Sequence, residues 1–238
     1  MLLEVKSITK SFGGLIAINR LEFSVGEGEV IGLIGPNGSG KTTSFHLISG
    51  FLQPNRGEIF FAGNNITGLK PNKVCHKGIA RTFQLTKPFA GMTALQNAMV
   101  GRMYGSEPIR SMKQAEEECE EILEFVGLGG KGSSKASAFS MVERKRLEIA
   151  RALATKPRML LLDEMMSGLT HTEMDEALDL VKAIWDSGIT LIVVEHVMKA
   201  ILEISNRIIV LNYGEKIAEG LPQEVMSHKT VVDAYLGE

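Results

Sequence analysis

A glycine-rich stretch at positions 35–43, GPNGSGKTT, constrains the fold of this 238-residue chain more than any other feature. It matches the pattern G-x-x-x-x-G-K-[ST], between the apolar run EVIGLIG (29–35) and the helical pattern KTTSFHLISG (41–50). A strand before the glycines and a helix after them is the context that this phosphate-binding loop requires. The pattern therefore predicts an α/β fold with a loop that holds a polyphosphate.

Each residue type in this loop has a chemical reason to be there. Glycines let backbone N–H groups approach phosphate oxygens, and the helix N-terminus that follows favours negative charge. Lys41 supplies a positive charge for the terminal phosphates, and the Thr42 hydroxyl is a candidate Mg²⁺ ligand. We expect nine residues to contact the phosphates: Gly35, Pro36, Asn37, Gly38, Ser39, Gly40, Lys41, Thr42 and Thr43.

Apolar runs and helical patterns alternate at both ends of the chain. The runs RMLLLDE (158–164) and ITLIVVEH (189–196) are continuously apolar, which predicts a parallel sheet buried on both faces. A helix is expected between them, from about 172 to 186. The segment RIIVLNYGEKIAEG (207–220) predicts a hairpin around residues 212–214.

The middle of the chain gives no strand signal. We predict a helical subdomain at about 92–155, inserted into a core of about 1–91 and 156–238 that together form one domain. In AFSMVERKRLEIARAL (138–153), Ser140 followed by Glu143 predicts a capping box that begins a helix. An apolar stripe of Leu147, Ile149, Ala150 and Leu153 should face the core, with the basic residues 144–146 in solvent.

Polar residues stand where predicted strands end. We expect Asp163 to hold Mg²⁺, mostly through water, and Glu164 to polarise an attacking water. Alone, an Asp-Glu pair at a strand end favours a helix cap or a solvated loop, but together with the phosphate loop it favours the catalytic interpretation. Gln84 and His196 stand at two further strand ends, where a structural hydrogen-bonding role is the alternative.

Composition limits the partners. The net charge of −2 gives no bulk attraction to nucleic acid or acidic lipid. Cys75 and Cys119 have neither metal-type spacing nor a disulfide framework, which favours a reducing, cytosolic setting. Glu4 interrupts the apolar N-terminus, so it does not resemble a signal peptide, and no apolar run approaches the ~20 residues that span a bilayer. We therefore expect a membrane role only through a partner.

The ordered set of phosphate loop, Gln84, helical insertion, LLLDE and His196 resembles the ATP-binding cassette (ABC) ATPases across essentially the whole chain. That resemblance implies a P-loop cassette, with a RecA-like mixed-sheet core, an antiparallel β subdomain and a helical insertion. The motifs GIARTFQ, MTALQNAMVG, RLEIARAL, VVEHVMKAI and VVDAYLGE are similar to those of ATPase subunits of branched-chain amino acid importers, the LivG-like family. Urea and amide importers share much of the same pattern.

The resemblance implies that the chain binds ATP with Mg²⁺ and hydrolyses ATP. Gln84 would sense the γ-phosphate and be an Mg²⁺ ligand with Thr42 and Asp163, and His196 would contact the γ-phosphate. Phe12 would stack on adenine, although a core aromatic residue is equally consistent. A groove for a permease helix would include Leu85, Phe89, Met92 and Tyr104, although for most of these apolar residues packing within the insertion is the favoured alternative.

The resemblance also implies partners and a location. The chain would join a second ABC ATPase and two transmembrane permease subunits, with an extracytoplasmic substrate-binding protein as an indirect partner and no nucleic acid. This complex would place it peripherally on the cytoplasmic face of the cell membrane.

Departures from the family pattern fall on segments that would face a second ATPase. Where the family has a signature close to L-S-G-G-Q, this chain has Phe139-Ser140-Met141-Val142-Glu143. Ser140 keeps a hydroxyl for the partner's γ-phosphate, but Val142 is bulky and Glu143 is negative. Met165 replaces a proline, and Thr170 stands where Asp or Asn is usual. These changes predict a heterodimer with unequal ATP sites, with neutral drift as the alternative.

Other classes fit less well. A P-loop GTPase needs N-K-x-D, and the segment NKVC (72–75) lacks the Asp. A nucleotide kinase would not explain Gln84 together with His196, and ABC proteins of translation or repair need two cassettes or a long coiled insertion. A non-hydrolysing regulatory subunit remains an alternative, against which the intact Glu164 and His196 argue.

Overall fold

The structure is a computed structural model that describes residues 1–84 and 86–236. Its strands in these residues are β1 (Leu3–Phe12), β2 (Leu15–Val25), β3 (Val30–Ile34), β4 (Arg56–Phe61), β5 (Asn64–Asn65), β6 (Ile79–Arg81), β7 (Met159–Asp163), β8 (Thr190–Val194), β9 (Arg207–Asn212) and β10 (Glu215–Gly220).

The helices are α1 (Lys41–Ile48), α2 (Pro71–His76), α3 (Ala94–Tyr104), α4 (Met112–Phe125), α5 (Met141–Ala154), α6 (His171–Asp186), α7 (Met198–Ile204), α8 (Pro222–Ser227) and α9 (Lys229–Leu236), with a 3-10 turn at Ala136–Ala138. None of these helices is both long and apolar enough to cross a bilayer.

The central sheet has the strand order β10-β9-β3-β8-β7-β6. Its inner strands are parallel, and β10 pairs antiparallel with β9 through the predicted hairpin. A second, antiparallel sheet has the order β2-β1-β4-β5. The mixed core sheet and the antiparallel subdomain that the resemblance implied are therefore both present.

Alternate residues of the central strands enter two separate cores, as the period of two along a strand requires. In β7, Leu160 and Leu162 pack into one core, whereas Met159 and Leu161 pack into the other. All five residues of β7 and of β8 are buried. The continuously apolar runs thus reflect a sheet covered on both faces, as predicted.

Helices α3, α4 and α5 lie between β6 and β7 in the chain and pack on one another. They fall inside the range of about 92–155 proposed for the helical subdomain, whose limits remain a prediction. The apolar stripe of α5 is buried as expected. The basic residues 144–146, predicted to lie in solvent, are instead partly buried, and Lys145 reaches under a neighbouring loop. The prediction of a solvent-facing Lys145 was therefore wrong, because periodicity shows which face is apolar but not what packs on its edge.

Candidate nucleotide site

The phosphate loop connects β3 to α1 and needs its glycines for steric reasons. A Cβ on Gly35 would lie 2.1 Å from the Leu211 carbonyl oxygen of β9, and one on Gly40 would lie 2.6 Å from Ile18 Cδ1. Gly40 has φ +107 and stands directly before the helix, a conformation that favours glycine. The backbone of the loop therefore packs closely against β9 and β2, with no room for a side chain at Gly35 or Gly40.

Lys41 is the first residue of α1, and its ammonium is held across the loop. Its Nζ donates to the carbonyl oxygens of Gly35 at 2.6 Å and Pro36 at 2.9 Å, and the residue is buried. A buried ammonium at the N-terminus of a helix adds to the positive potential of the loop. Gly35 and Pro36 do not line the adjoining cavity, so their contribution to the site is to hold the Lys41 ammonium in position.

A cavity of about 270 Å³ brings most of the predicted site residues together. Its walls contain residues from the phosphate loop, from β2 and from the ends of the core strands: Ala17, Asn37, Gly38, Ser39, Gly40, Lys41, Thr42, Thr43, Gln84, Glu164 and His196. The lining combines loop amides, an ammonium and hydroxyls with the Glu164 carboxylate. This arrangement suits a polyphosphate that is attacked at its terminal phosphorus.

Glu164 follows β7 and is fixed by both its backbone and its side chain. Its φ is +49, and its N–H donates to the Val194 carbonyl at 2.9 Å. Gln84 Nε2 donates to Glu164 Oε2 at 2.6 Å, and His196 Nε2 lies 2.8 Å from Oε1. A non-glycine residue in the left-handed region is strained, and such strain is typical of functional sites. Three residues predicted from separate strand ends therefore meet at one carboxylate.

A second cavity, of about 400 Å³, contains the three residues predicted to bind Mg²⁺: Thr42, Gln84 and Asp163. Asp163 is 2% exposed, and its Oδ1 has no hydrogen-bond partner within the described residues. A buried carboxylate oxygen of this kind fits an Mg²⁺ ion that is held through water. Residues 1–84 and 86–236 contain no group of three His, Cys, Asp or Glu that could hold a metal ion.

The sequence did not predict the partner of Asp163. Arg81 Nη2 donates to Asp163 Oδ2 at 2.7 Å, and both side chains are almost fully buried. The guanidinium lies between two aromatic rings, 5.5 Å from the Phe45 centroid and 5.1 Å from that of Phe83. The signal that could have found it is the basic residue at the end of the short buried run in GIARTFQ, three positions before Gln84.

Glu148 on α5 is a second residue that the sequence analysis missed. It is 3% exposed, and its Oε1 accepts a hydrogen bond from the Phe83 N–H at 3.0 Å. Burial raises its pKa to about 7 in spite of the nearby Arg151. A glutamate within the apolar stripe of RLEIARAL was the available signal. The helical subdomain thus contacts the segment that carries Gln84.

Phe12 and Ser140 lie outside the two cavities. Phe12 ends β1, is 47% exposed, and has Lys10 Nζ 5.2 Å from its ring centroid. Ser140 is the N-cap of α5 and forms the predicted capping box: its Oγ accepts from the Glu143 N–H at 3.3 Å, and the Ser140 N–H donates to Glu143 Oε2 at 2.8 Å. Both residues are accessible to a ligand only at the protein surface.

The unusual signature residues are built into the start of α5. Glu143 also pairs with Lys131, and this contact, with the capping N–H, lowers its pKa to about 2. The expected negative charge is therefore compensated within the chain. Thr170 in turn caps α6 in a box with Glu173, a role that Asp or Asn also fills.

An apolar groove of about 320 Å³ lies beside the Gln84 segment. Its walls include Phe51, Phe83, Phe89, Tyr104 and Arg151. Phe89 and Tyr104 therefore line this cavity, and their contact with a permease helix stays a prediction. Met92 is exposed but does not line the cavity, and Leu85 lies outside the described residues.

A P-loop, an acidic strand end and a Gln–Glu–His contact, on a mixed sheet with an antiparallel sheet and a helical insertion, define an ABC-type ATPase. Residues 18–167 match the family described as ABC transporter, and residues 215–238 match the branched-chain amino acid ATP-binding cassette transporter family.

Two relatives and one solved structure are similar to this chain over its whole length. The high-affinity branched-chain amino acid transport ATP-binding protein BraF of Pseudomonas aeruginosa is 38% identical over 250 residues, covering 100% of this chain and 98% of BraF. The corresponding LivG protein of Escherichia coli is 35% identical with the same coverage. The crystal structure of the ADP conformation of MJ1267, an ATP-binding cassette of an ABC transporter, aligns with a TM-score of 0.90 and 33% identity, covering 100% of this chain and 99% of MJ1267.

The chain belongs to the ABC transporter ATP-binding proteins of the branched-chain amino acid (LivG/BraF) family. It is an ATPase subunit of an ABC transporter. The fold and family that the sequence motifs indicated are thereby confirmed.

Proposed function

We propose that this chain hydrolyses MgATP to energise an importer of branched-chain amino acids, with Glu164 as the general base. The observation that carries the proposal is the Glu164 carboxylate, held between Gln84 and His196 on the wall of the phosphate-loop cavity. A positioned carboxylate can accept the proton of the attacking water as its oxygen bonds to the γ-phosphorus. Lys41 and the loop amides stabilise the charge on the ADP that leaves.

The two donors on Glu164 also suggest how ATP prepares the site. A carboxylate that accepts two hydrogen bonds is well oriented, but each of its oxygens already accepts a bond from a protein donor. With ATP bound, Gln84 and His196 would contact the γ-phosphate instead, which would leave the Glu164 carboxylate free to accept a hydrogen bond from the water. Mg²⁺ would be held by Thr42, Asp163 and Gln84, and it would supply charge neutralisation at the β- and γ-phosphates.

Glu164→Gln tests the chemistry. We expect ATP turnover to fall by about 10²–10⁴-fold, the usual contribution of a general base, while the affinity for ATP stays within about twofold. The matched control is Glu173→Gln, on the exposed capping box of α6. Unchanged turnover in Glu164→Gln would instead support a regulatory subunit that contributes little hydrolysis.

The family supports a substrate class. The C-terminal match and the printed names of BraF and LivG both concern branched-chain amino acids, which supports that class over urea or amides. The test is ATP turnover of the transporter reconstituted in vesicles with its binding protein. Leucine, isoleucine or valine should stimulate turnover, and urea or a short aliphatic amide should not. Stimulation by urea or the amide alone would overturn the assignment.

The proposed partners are a second ABC ATPase, two permeases and, indirectly, an extracytoplasmic binding protein, which place the chain at the cytoplasmic face of the membrane. The groove beside the Gln84 segment suits an apolar permease helix, because Phe51, Phe89 and Tyr104 offer exposed aromatic surface there. Phe89→Ser should release the chain from permease-containing membranes without changing its ATP affinity. Retention of Phe89→Ser on the membrane at the wild-type level would contradict this surface.

A further inference from the structure

The loop that follows the catalytic glutamate is held by two charged side chains that the hydrolysis mechanism does not use. We call residues 165–168 the base loop. Lys145, on α5, donates from Nζ to the carbonyl oxygens of Met165 at 2.9 Å and Ser167 at 2.5 Å. Glu195, which follows β8, accepts at Oε1 from the Met166 N–H at 2.8 Å. Three successive residues of the base loop are thus bonded through their backbones to two side chains.

The Glu195 contact is buried, the contact of Lys145 with Met165 is partly buried, and its contact with Ser167 is exposed. Glu195 is 3% exposed, and Met165 and Met166 are buried. Burial raises the pKa of Glu195 to about 7 and lowers that of Lys145, although the carboxylates of Glu195, Glu148 and Glu164 act on Lys145 in the opposite direction. Charge-assisted hydrogen bonds are stronger in such surroundings than in water, so these contacts restrict the base loop.

The contacts connect helix α5 to the segment that carries His196. Lys145 lies one turn and a half into the helix that Ser140 caps, and Met141 Cε lies 3.2 Å from the position of a Cβ on Gly168. Glu195 is next to His196, which contacts Glu164. The base loop is therefore fixed to the signature helix on one side and to the catalytic histidine on the other.

We infer that Lys145 and Glu195 are positioning residues that make Glu164 follow the position of helix α5. Glu164 lies immediately before the base loop and has a strained φ of +49, so its conformation depends on the residues that hold its neighbours. A shift of α5 pulls on the Met165 and Ser167 carbonyls through Lys145 and turns Glu164 relative to His196. The start of α5 is the segment that faces the second ATPase in the proposed dimer. Contact with the second ATPase therefore changes the position of Glu164, the general base of this chain, through Lys145. This inference rests on the proposed role of Glu164.

The test compares Lys145→Met with Lys145→Arg, which keeps a donor of similar reach, and with Arg146→Met. Arg146 is the matched control because it is the next residue on α5 and pairs with Glu176 rather than with the base loop. Hydrogen exchange is measured on the full chain. We expect the Met166 amide to exchange at least tenfold faster in Lys145→Met and at the wild-type rate in Lys145→Arg and Arg146→Met.

The second readout is steady-state turnover of MgATP by the assembled transporter. Lys145→Met should lower kcat at least tenfold with KM within twofold, and Lys145→Arg should recover most of the loss. Wild-type exchange and kcat in Lys145→Met, or an equal loss in Arg146→Met, would overturn the inference. If Lys145→Met does not fold, Glu195→Leu tests the same connection from β8, with Glu195→Gln, which keeps the accepting oxygen, as its control.

The two proposals fail in different ways. If Glu164→Gln leaves turnover unchanged, the role of Glu164 is wrong, whereas the exchange data still show whether Lys145 holds the base loop. If Glu164→Gln abolishes turnover but Lys145→Met preserves both exchange and kcat, only the positioning role is wrong.

Discussion

The Glu148 carboxylate of α5 accepts a hydrogen bond of 3.0 Å from the backbone N–H of Phe83, the residue before Gln84. Arg151, one turn further along α5, donates to the Lys87 carbonyl at 3.1 Å and lies over the Phe89 ring. Helix α5 is therefore hydrogen-bonded to the chain both before and after Gln84, and the Gln84 side chain contacts Glu164. We therefore expect a movement of Gln84 to be transmitted to α5 through these bonds.

Glu148 should make the free energy of unfolding depend on pH. Its folded pKa of about 7 lies above its ordinary value of 4.5, so the folded chain binds the proton more tightly than the unfolded chain. Stability then falls as the pH rises from about 4.5 to about 7. Glu148→Gln keeps an accepting oxygen without the charge. We expect it to match the wild type at pH 5 and to be more stable at pH 8, by up to about 3 kcal/mol.

Urea denaturation at pH 5, 6, 7 and 8 measures this difference. Glu148→Met is the companion variant: it leaves the Phe83 N–H without its acceptor and should cost about 1–3 kcal/mol even at pH 5. Parallel pH profiles for the wild type and Glu148→Gln would contradict the raised pKa.

Arg81→Met should destabilise the fold strongly, because it leaves the Asp163 carboxylate buried without its cation. Breaking a buried pair from one side costs about 3–5 kcal/mol. Arg158→Met is the control: its ion pair with Glu27 is exposed, and such a pair contributes less than about 1 kcal/mol. Chemical denaturation in the absence of Mg²⁺ and nucleotide gives both values.

The double variant Arg81→Met/Asp163→Asn separates charge from packing. Because the uncompensated charge is gone, it should regain most of the stability that Arg81→Met loses. No recovery would mean that the stacking of Arg81 between Phe45 and Phe83, rather than its charge, holds this region.

Gly35→Ala should abolish ATP binding and destabilise the chain. The added Cβ would lie 2.1 Å from the Leu211 carbonyl oxygen and 2.6 Å from Ser39 Oγ, so the phosphate loop or β9 must move. Gly63→Ala is the control, since Gly63 also has positive φ but nothing within 4 Å of its Cβ position. It should cost only the backbone strain of about 1–2 kcal/mol and leave ATP affinity unchanged, as measured with a fluorescent ATP analogue.

Hydrolysis by the isolated chain tests the heterodimer. Val142 is the second residue of α5, and the family resemblance places there a glycine that would allow a close approach to the partner's phosphate. We expect the isolated chain to turn over ATP slowly and without cooperativity, and Val142→Gly to raise that turnover several-fold. The capping box should persist in the variant, because it involves Ser140 and Glu143 alone.

Rapid, cooperative turnover by the unmodified chain would contradict unequal sites. An unchanged rate in Val142→Gly would favour neutral drift, with the backbone already accommodating the valine. Far-UV circular dichroism of both proteins provides the control for helix content, because glycine near a helix start lowers stability by up to about 1 kcal/mol.

The sequence by itself determined the features that depend on local chemistry and periodicity. The glycine spacing around Lys41, the continuous apolar strands and the Ser140 capping box all follow from rules that act over a few residues, and the structure contains each of them. Strand-end positions also brought Gln84, Glu164 and His196 to one edge, because parallel strands place their carboxyl ends side by side.

Only the tertiary structure decided which charged residues are buried and what they contact. Arg81 and Asp163 are 82 positions apart, and Lys145 and Met165 are 20 apart. Periodicity placed Lys145 on a solvent face, yet the base loop packs over it. An ion pair or a side chain-to-backbone bond between distant segments depends on how strands and helices pack, and no local pattern records that packing. For this reason the chemistry of the site could be predicted from the sequence, whereas the contacts that hold it in position could not.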